Sequence, residues 1–183
     1  MRLIFPKPYA DFVARLRVPC GFAIVAAFAW FSHPDAGSLV YGLPVSLIGL
    51  AVRAWAAGHL AKNQTLAASG PYAYTRNPLY LGTLLVAAGL AMASRSAGLG
   101  ALFATVFLGI YLPVIQLEEQ HLRSLFPEYA SYAARVPALL PRMTPAGQPR
   151  AFQSALYMKN REYQALLGWL AGSVWLIARS VWA

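Results

Sequence analysis

Five long stretches of this sequence contain no Asp, Glu, Lys or Arg, and they constrain the fold more than any other feature. They lie between Arg17 and Asp35, Asp35 and Arg53, Arg76 and Arg95, Arg95 and Glu118, and Glu162 and Arg179, with lengths of 17, 17, 18, 22 and 16 residues. A helix needs about 20 apolar residues to cross a bilayer, about 17 at the least, and flanking Lys or Arg side chains reach the interface from a short one. The fifth stretch is the shortest; Trp169, Trp175 and Trp182 support it, because tryptophan anchors helices at the interface. Charged residues make up 11% of the chain, against about 25% in a soluble domain. The sequence therefore predicts an all-α, polytopic membrane protein: one domain over residues 1–183 with five transmembrane helices.

The distribution of cations gives an orientation. Arg2, Lys7, Arg15, Arg17, Arg53, Lys62, Arg76, Arg123, Arg135, Arg142, Arg150, Lys159 and Arg161 fall on one side of a five-span arrangement, and only Arg95 and Arg179 on the other. Lys and Arg accumulate in cytoplasmic loops, so the N-terminus is expected in the cytoplasm and the C-terminus outside. The net charge of +9 does not point to nucleic acid, because the basic residues flank apolar runs and do not line one polar surface. Met1 to Arg17 carries charges throughout and is not expected to be a cleaved signal peptide. The alanine-rich composition associates the chain with a bacterial inner membrane. The single cysteine, Cys20, reads as a small packing residue, and His33, His59 and His121 are too scattered for a zinc site, so no metal partner is expected.

Two polar knots interrupt the apolar pattern. Residues 69–82, Ser-Gly-Pro-Tyr-Ala-Tyr-Thr-Arg-Asn-Pro-Leu-Tyr-Leu-Gly, read as a loop that leaves one helix and opens the next. Gly70-Pro71 is a turn signal, and Pro78 pushes Asn77 out of the helical region and then suits the first turn of a helix. The second knot is Glu118-Glu119, at the end of a membrane-length run. The link Ser94-Arg95-Ser96-Ala97-Gly98 is short enough to force an antiparallel hairpin, which should return Glu118-Glu119 to the surface where Arg76–Tyr80 enters. The second span is expected to run past Arg53 to about Leu60, with Gly42, Pro44 and Gly49 permitting a bend. Residues 119–135 read as an interfacial or cytoplasmic helix, 142–150 as a linker, and 151–163 as an amphipathic stretch before the last span.

The ordered set Gly70-Pro71-Tyr72, Arg76, Pro78, Tyr80, Gly82, Glu118-Glu119, Phe126, Tyr129, Tyr132, Val136-Pro137 and Pro141 resembles the isoprenylcysteine carboxyl methyltransferase family and its phospholipid methyltransferase relatives. The resemblance covers about residues 50–141. Asn77 stands where that family usually has histidine. The resemblance implies a small integral-membrane enzyme that uses S-adenosylmethionine, with its cofactor pocket at the cytoplasmic face formed by the Arg-x-Pro-x-Tyr loop and the Glu-Glu helix. Tyr72, Tyr74, Arg76, Asn77, Pro78, Tyr80, Leu81, Glu118 and Glu119 are then the cofactor-binding candidates.

Methyl transfer from a sulfonium needs donor and acceptor held in line, about 3–3.5 Å apart, and needs no covalent enzyme intermediate. Glu118 or Glu119 suits the cofactor's ammonium or ribose hydroxyls, Arg76 and Asn77 its carboxylate, and tyrosine faces the sulfonium. Each residue also has a plainer reading. Arg76 serves equally as a membrane anchor, the carboxylates as partners of Arg123, and the tyrosines as interface aromatics. The catalytic candidates, on the acceptor side, are Arg53, His59 and Arg161. Arg53 lies inside an apolar run, where a charge is costly and usually functional; His59 also reads as a helix-end polar residue, and Arg161 and Glu162 as a mutual pair. The expected acceptor is a lipid or amphiphile carrying a carboxylate, amine or thiol. Two other classes stand beside this one: an NADPH-dependent membrane reductase related to the sterol reductases, and a non-enzymatic membrane protein.

Overall fold

A computed structural model describes residues 5–147 and 150–182, so Arg2 and the linker residues Gln148 and Pro149 lie outside the described residues. Among the described residues all regular structure is helical, with no strand. The helices are α1 (Lys7–Phe31), α2 (Ala36–Ala57), α3 (Pro78–Ser94), α4 (Ala97–Leu125), α5 (Tyr129–Arg135), α6 (Ser154–Lys159) and α7 (Tyr163–Trp182). Four of them, α1, α2, α4 and α7, are long and apolar enough to cross a membrane, and α3 is a shorter apolar helix of 17 residues. The protein is thus a polytopic, integral membrane protein. The third charge-free run of the sequence is occupied by this shorter helix. Phe22, Trp30, Tyr41 and Trp182 stand largely exposed, as side chains facing lipid do.

Two compact units form. The first comprises Met1–Ser46, Ala87–Gln120 and Leu170–Ala183. Here α1 starts with Pro8 in its first turn, where a missing N–H costs nothing. The start of α2 is closed reciprocally: Ser38 N–H donates to Asp35 Oδ1 at 2.7 Å, and Asp35 N–H to Ser38 Oγ at 3.0 Å. Asp35 also pairs with Arg95, which occupies the two-residue turn between α3 and α4 at φ 53°. His33 N–H donates to the Ser94 carbonyl at 2.8 Å, and Arg179 Nε to the Ser32 carbonyl at 3.1 Å. A Cβ on Gly42 would stand 2.4 Å from the Ala93 nitrogen, so α2 and α3 meet there backbone to backbone. Within α4, Phe107–Tyr111 widens to a π-turn. Pro113 explains it: with no N–H, it cannot bond the Gly109 carbonyl one turn back. The Tyr9 hydroxyl donates to that carbonyl instead, at 2.8 Å.

The second unit comprises Leu47–Val86 and His121–Trp169. Gly49 and Gly82 continue the close approach of α2 and α3, each Cβ position lying 2.7 Å from the other residue's carbonyl oxygen. Phe126, Tyr129, Tyr132 and Val136 form the core, packed against Leu66, Ala68, Leu122, Ala133 and Ala146. The single helix expected over 119–135 is two. The helix α4 runs through Glu118-Glu119 to Leu125, Pro127 prevents its continuation, and α5 starts at Tyr129. Pro44 sits inside α2 without ending it.

Candidate functional site

The second unit assembles most of the candidates. The helix α2 ends at Ala57, and the chain turns sharply through Gly58 and His59. Gly70 follows at φ +57°, opening a short 3₁₀ turn over Gly70–Ala73. A left-handed conformation favours glycine, and the space above it is filled by the His59 ring, 2.6 Å from where a Cβ would be. The His59 ring is buried, with Nδ1 3.2 Å from Ser69 Oγ, and Trp55 stands edge-on to it. Burial, and then the charge of Arg150, hold the imidazole below its ordinary pKa. Trp55 also packs against Tyr74 at a ring separation of 6.2 Å.

From Tyr72 to Asn77 the loop interlocks with the chain that follows α5. The Tyr132 hydroxyl donates to the Tyr72 carbonyl at 2.8 Å. Thr75 Oγ1 donates to the carbonyls of Ala138 and Leu139, both at 3.1 Å. Arg76 Nη1 donates to the carbonyls of Ala133 and Val136 at 3.0 and 2.9 Å, and its backbone N–H to Pro137 at 2.9 Å. Asn77 Nδ2 donates to Ala138 at 2.9 Å. In the other direction, the N–H groups of Arg142 and Ala146 donate to the carbonyls of Tyr74 and Ala73. Polar side chains on the loop thus satisfy carbonyls that the end of α5 would leave open. Pro78 is fully buried at the first position of α3, and the Leu81 N–H closes the first turn onto the Asn77 carbonyl at 3.0 Å. Tyr80 and Leu81 are half-buried in that turn.

Two of the remaining candidates, Glu118 and Glu119, belong to the first unit, and Arg53 and Arg161 to the second. Glu119 is buried and Glu118 exposed in the part of α4 that belongs to the first unit. Arg123 lies over the Tyr129 ring, 5.3 Å from its centroid. Arg53 Nε and Nη2 donate to Glu162 Oε1 and Oε2 at 2.5 and 3.0 Å, and Nη1 to Thr83 Oγ1 and the Leu79 carbonyl. Glu162 therefore turns to Arg53 and not to its neighbour Arg161, which is exposed at φ 55°.

Sequence reasoning singled out residues 151–163 as an amphipathic stretch but missed how residues 152–162 are tied down as a strap. Asn160 Nδ2 donates to the carbonyls of Ala57 and Leu60, both at 2.9 Å, and caps α2 from a hundred residues away. The Gln153 N–H donates to the Gly58 carbonyl, and the Phe152 ring fills the space that a side chain at Gly58 would need. The signal that could have found it was Asn160 at the end of a short amphipathic run. Among the described residues no group of three or more His, Cys, Asp or Glu could hold a metal ion.

Comparison with known proteins adds a family. Residues 41–129 match the family model of the phospholipid methyltransferases. The cobalt-zinc-cadmium resistance protein CzcN of Cupriavidus metallidurans is 40% identical over 105 residues, covering 56% of this chain and 47% of that protein. The chain thus matches about half the length of that relative. The nickel-cobalt-cadmium resistance protein NccN of Alcaligenes xylosoxydans xylosoxydans is 28% identical over 192 residues, covering 96% of this chain and 85% of that protein. No solved structure matches the chain.

Proposed function

From the premise that residues 41–129 carry a phospholipid methyltransferase domain, we propose that the protein transfers a methyl group from S-adenosylmethionine to a lipidic or amphiphilic acceptor at the cytoplasmic membrane face. The observation that carries this reading is the interlock of Thr75, Arg76 and Asn77 with the carbonyls of residues 133–139. It fixes the loop bearing the family's Arg-x-Pro-x-Tyr pattern, and a preformed loop is what in-line transfer requires. The donor set on this chain suits the cofactor. A guanidinium and an amide match its carboxylate, carboxylates match its ammonium, and tyrosine rings match its sulfonium. When bound, the cofactor supplies an electrophilic methyl group and leaves as S-adenosylhomocysteine.

Tyr72, Tyr74, Arg76, Asn77, Pro78, Tyr80 and Leu81 are assigned to cofactor binding, and the sequence pattern assigns Glu118 and Glu119 to the same role. Arg53, His59 and Arg161 are assigned to the acceptor, a carboxylate, amine or thiol. The shorter helix α3 is taken as the third of five spans, with the N-terminus in the cytoplasm, the C-terminus outside and the protein in a bacterial inner membrane. The printed names of the two relatives suggest metal resistance as the setting.

The test is direct binding of S-adenosylhomocysteine and of NADPH to the detergent-solubilised protein, followed by transfer of labelled methyl groups into a total lipid extract. Glu118→Gln and Glu119→Gln should weaken cofactor binding by roughly 1.5–3 kcal/mol, the worth of a hydrogen bond to a charged group. NADPH binding without S-adenosylhomocysteine binding would replace this reading with the reductase. Unchanged affinity in both variants would remove the carboxylates from the site.

A further inference from the structure

Arg53 is a cation near the C-terminal end of α2, and its fork is filled from within the chain. Glu162 occupies it side-on through both oxygens, and its side chain is only 8% exposed, while Arg53 keeps 24%. This is the geometry in which guanidinium groups take the carboxylates and phosphates of ligands.

Two features make Glu162 replaceable. A desolvated ion pair contributes little net free energy, because loss of hydration offsets the Coulomb attraction. Exchanging one oxyanion for another on the same guanidinium therefore has a small net cost, whereas leaving Arg53 bare has a large one. The carboxylate also comes from the strap and not from a helix interior. Arg161, just before it, holds φ at 55°, a conformation uncommon for a residue with a Cβ. The turn that presents Glu162 is thus kept in place by its surroundings, with Asn160 anchored to α2 on one side and α7 starting on the other.

Resting on the reading of an amphiphilic acceptor, we propose that Arg53 is the oxyanion-binding residue of a site for anionic amphiphiles, and that Glu162 is its internal occupant, displaced when the carboxylate or phosphate of such a molecule binds. Thr83 Oγ1 and the Leu79 carbonyl hold the guanidinium in position during the exchange. No covalent bond is made or broken; the hydrogen bonds of Arg53 Nε and Nη2 pass from Glu162 to the oxyanion of the bound molecule.

The test needs neither cofactor nor methyl transfer, so it stands or falls apart from the enzymatic reading. The full-length protein in a neutral maltoside detergent is titrated with labelled dodecanoate and with labelled dodecyl phosphate, with labelled dodecanol as the uncharged control. Glu162→Gln removes the competitor while keeping its shape, and should tighten binding of at least one anion by about tenfold or more, without affecting dodecanol. Arg53→Gln combined with Glu162→Gln should abolish the gain, and Arg53→Lys with Glu162→Gln should lose most of it, since lysine keeps the charge but not the fork. If Glu162→Gln does not fold, Glu162→Asp keeps the charge, shortens the reach and should give a smaller gain. A preference between dodecanoate and dodecyl phosphate names the source of the oxyanion. Equal affinity of the wild type and the folded Glu162 variant for both anions, or a gain that survives loss of Arg53, overturns the proposal.

Discussion

Gly70 offers a perturbation whose size can be worked from the structure. Its φ is +57°, and a Cβ built there would lie 2.6 Å from Cδ2 and Nε2 of His59 and 2.7 Å from Cε1. Gly70→Ala therefore meets two separable penalties. Holding alanine in the left-handed region costs roughly 1–2 kcal/mol. The contact is shorter than real Cβ atoms show, so the ring must move. It has little room, being buried, tied to Ser69 Oγ at 3.2 Å and walled by Trp55. Overpacking of this kind costs about 1–3 kcal/mol. Together these give about 2–5 kcal/mol, or a fall in apparent melting temperature of roughly 4–20 °C for a chain of this length. The assay is the fraction of detergent-solubilised protein that stays monodisperse after heating. Combining Gly70→Ala with His59→Ala separates the terms. Measured against His59→Ala alone, the double variant should retain only the backbone share, a coupling of about 1–3 kcal/mol. A Gly70→Ala variant that melts like the wild type refutes the turn as described. Strictly additive effects refute His59 as the group that Gly70 faces.

Three further outcomes are expected. Asn160→Leu leaves the carbonyls of Ala57 and Leu60 without their side-chain donor, which should cost about 1–3 kcal/mol and make residues 142–162 cleavable by limited proteolysis at temperatures where the wild type resists. His59, held below its ordinary pKa of about 6.5, is favoured neutral in the folded state. The stability it contributes is complete above about pH 6.5 and lost as pH falls through the lower, folded value, so melting temperature should drop between pH 7.5 and 5, and His59→Gln should flatten that drop. Cysteines at Gly37 and Gly98 should react with an impermeant label from outside, and cysteines at Ala67 and Met143 only from inside. Met143 is chosen because it is 96% exposed, whereas a side chain at Gly147 would meet the Ala68 carbonyl at 2.2 Å. Labelling of Met143→Cys from outside would overturn the proposed orientation.

Much of the helical fold was legible because its signals are local. Charge-free runs give helices in lipid, and Asn77-Pro78 marks the start of α3 to the residue. Errors came where local rules compete. Adjacent carboxylates looked like a helix end, but charge alone does not break a helix; α4 passes through Glu118-Glu119 and stops only before Pro127. The π-turn at Phe107–Tyr111 was foreshadowed by Pro113, but the carbonyl that it leaves open is met by the Tyr9 hydroxyl, 100 residues away. Likewise, the Gly-Pro-Tyr and Val-Pro parts of the family pattern appear in the sequence as separate punctuation. Their reason is one structure, in which residues 72–77 and 132–146 satisfy each other's backbone groups.

Arg53 shows what a sequence can say of a buried charge. An arginine inside an apolar run must be neutralised by something, and composition narrows the choice, since the chain has 6 acidic residues against 15 basic ones. Two charge-free runs separate Arg53 from Glu162, and an even number of crossings returns a chain to the surface it left. On the proposed five-span arrangement the two groups then share a membrane level, and Glu162, the last acid before the final span, is a partner that could have been named. Their azimuth about the helices is not implicit, because it depends on how far α2 turns past Gly49 and on where the strap meets Gly58. A protein that keeps a carboxylate on a strap for this arginine can neutralise it without a ligand and still offer it to one. An unpaired Arg53 would bind any oxyanion, whereas a paired one binds only those that outcompete Glu162. Selectivity at this position then depends on the difference between two oxyanions on one guanidinium, and that difference is what Glu162→Gln removes.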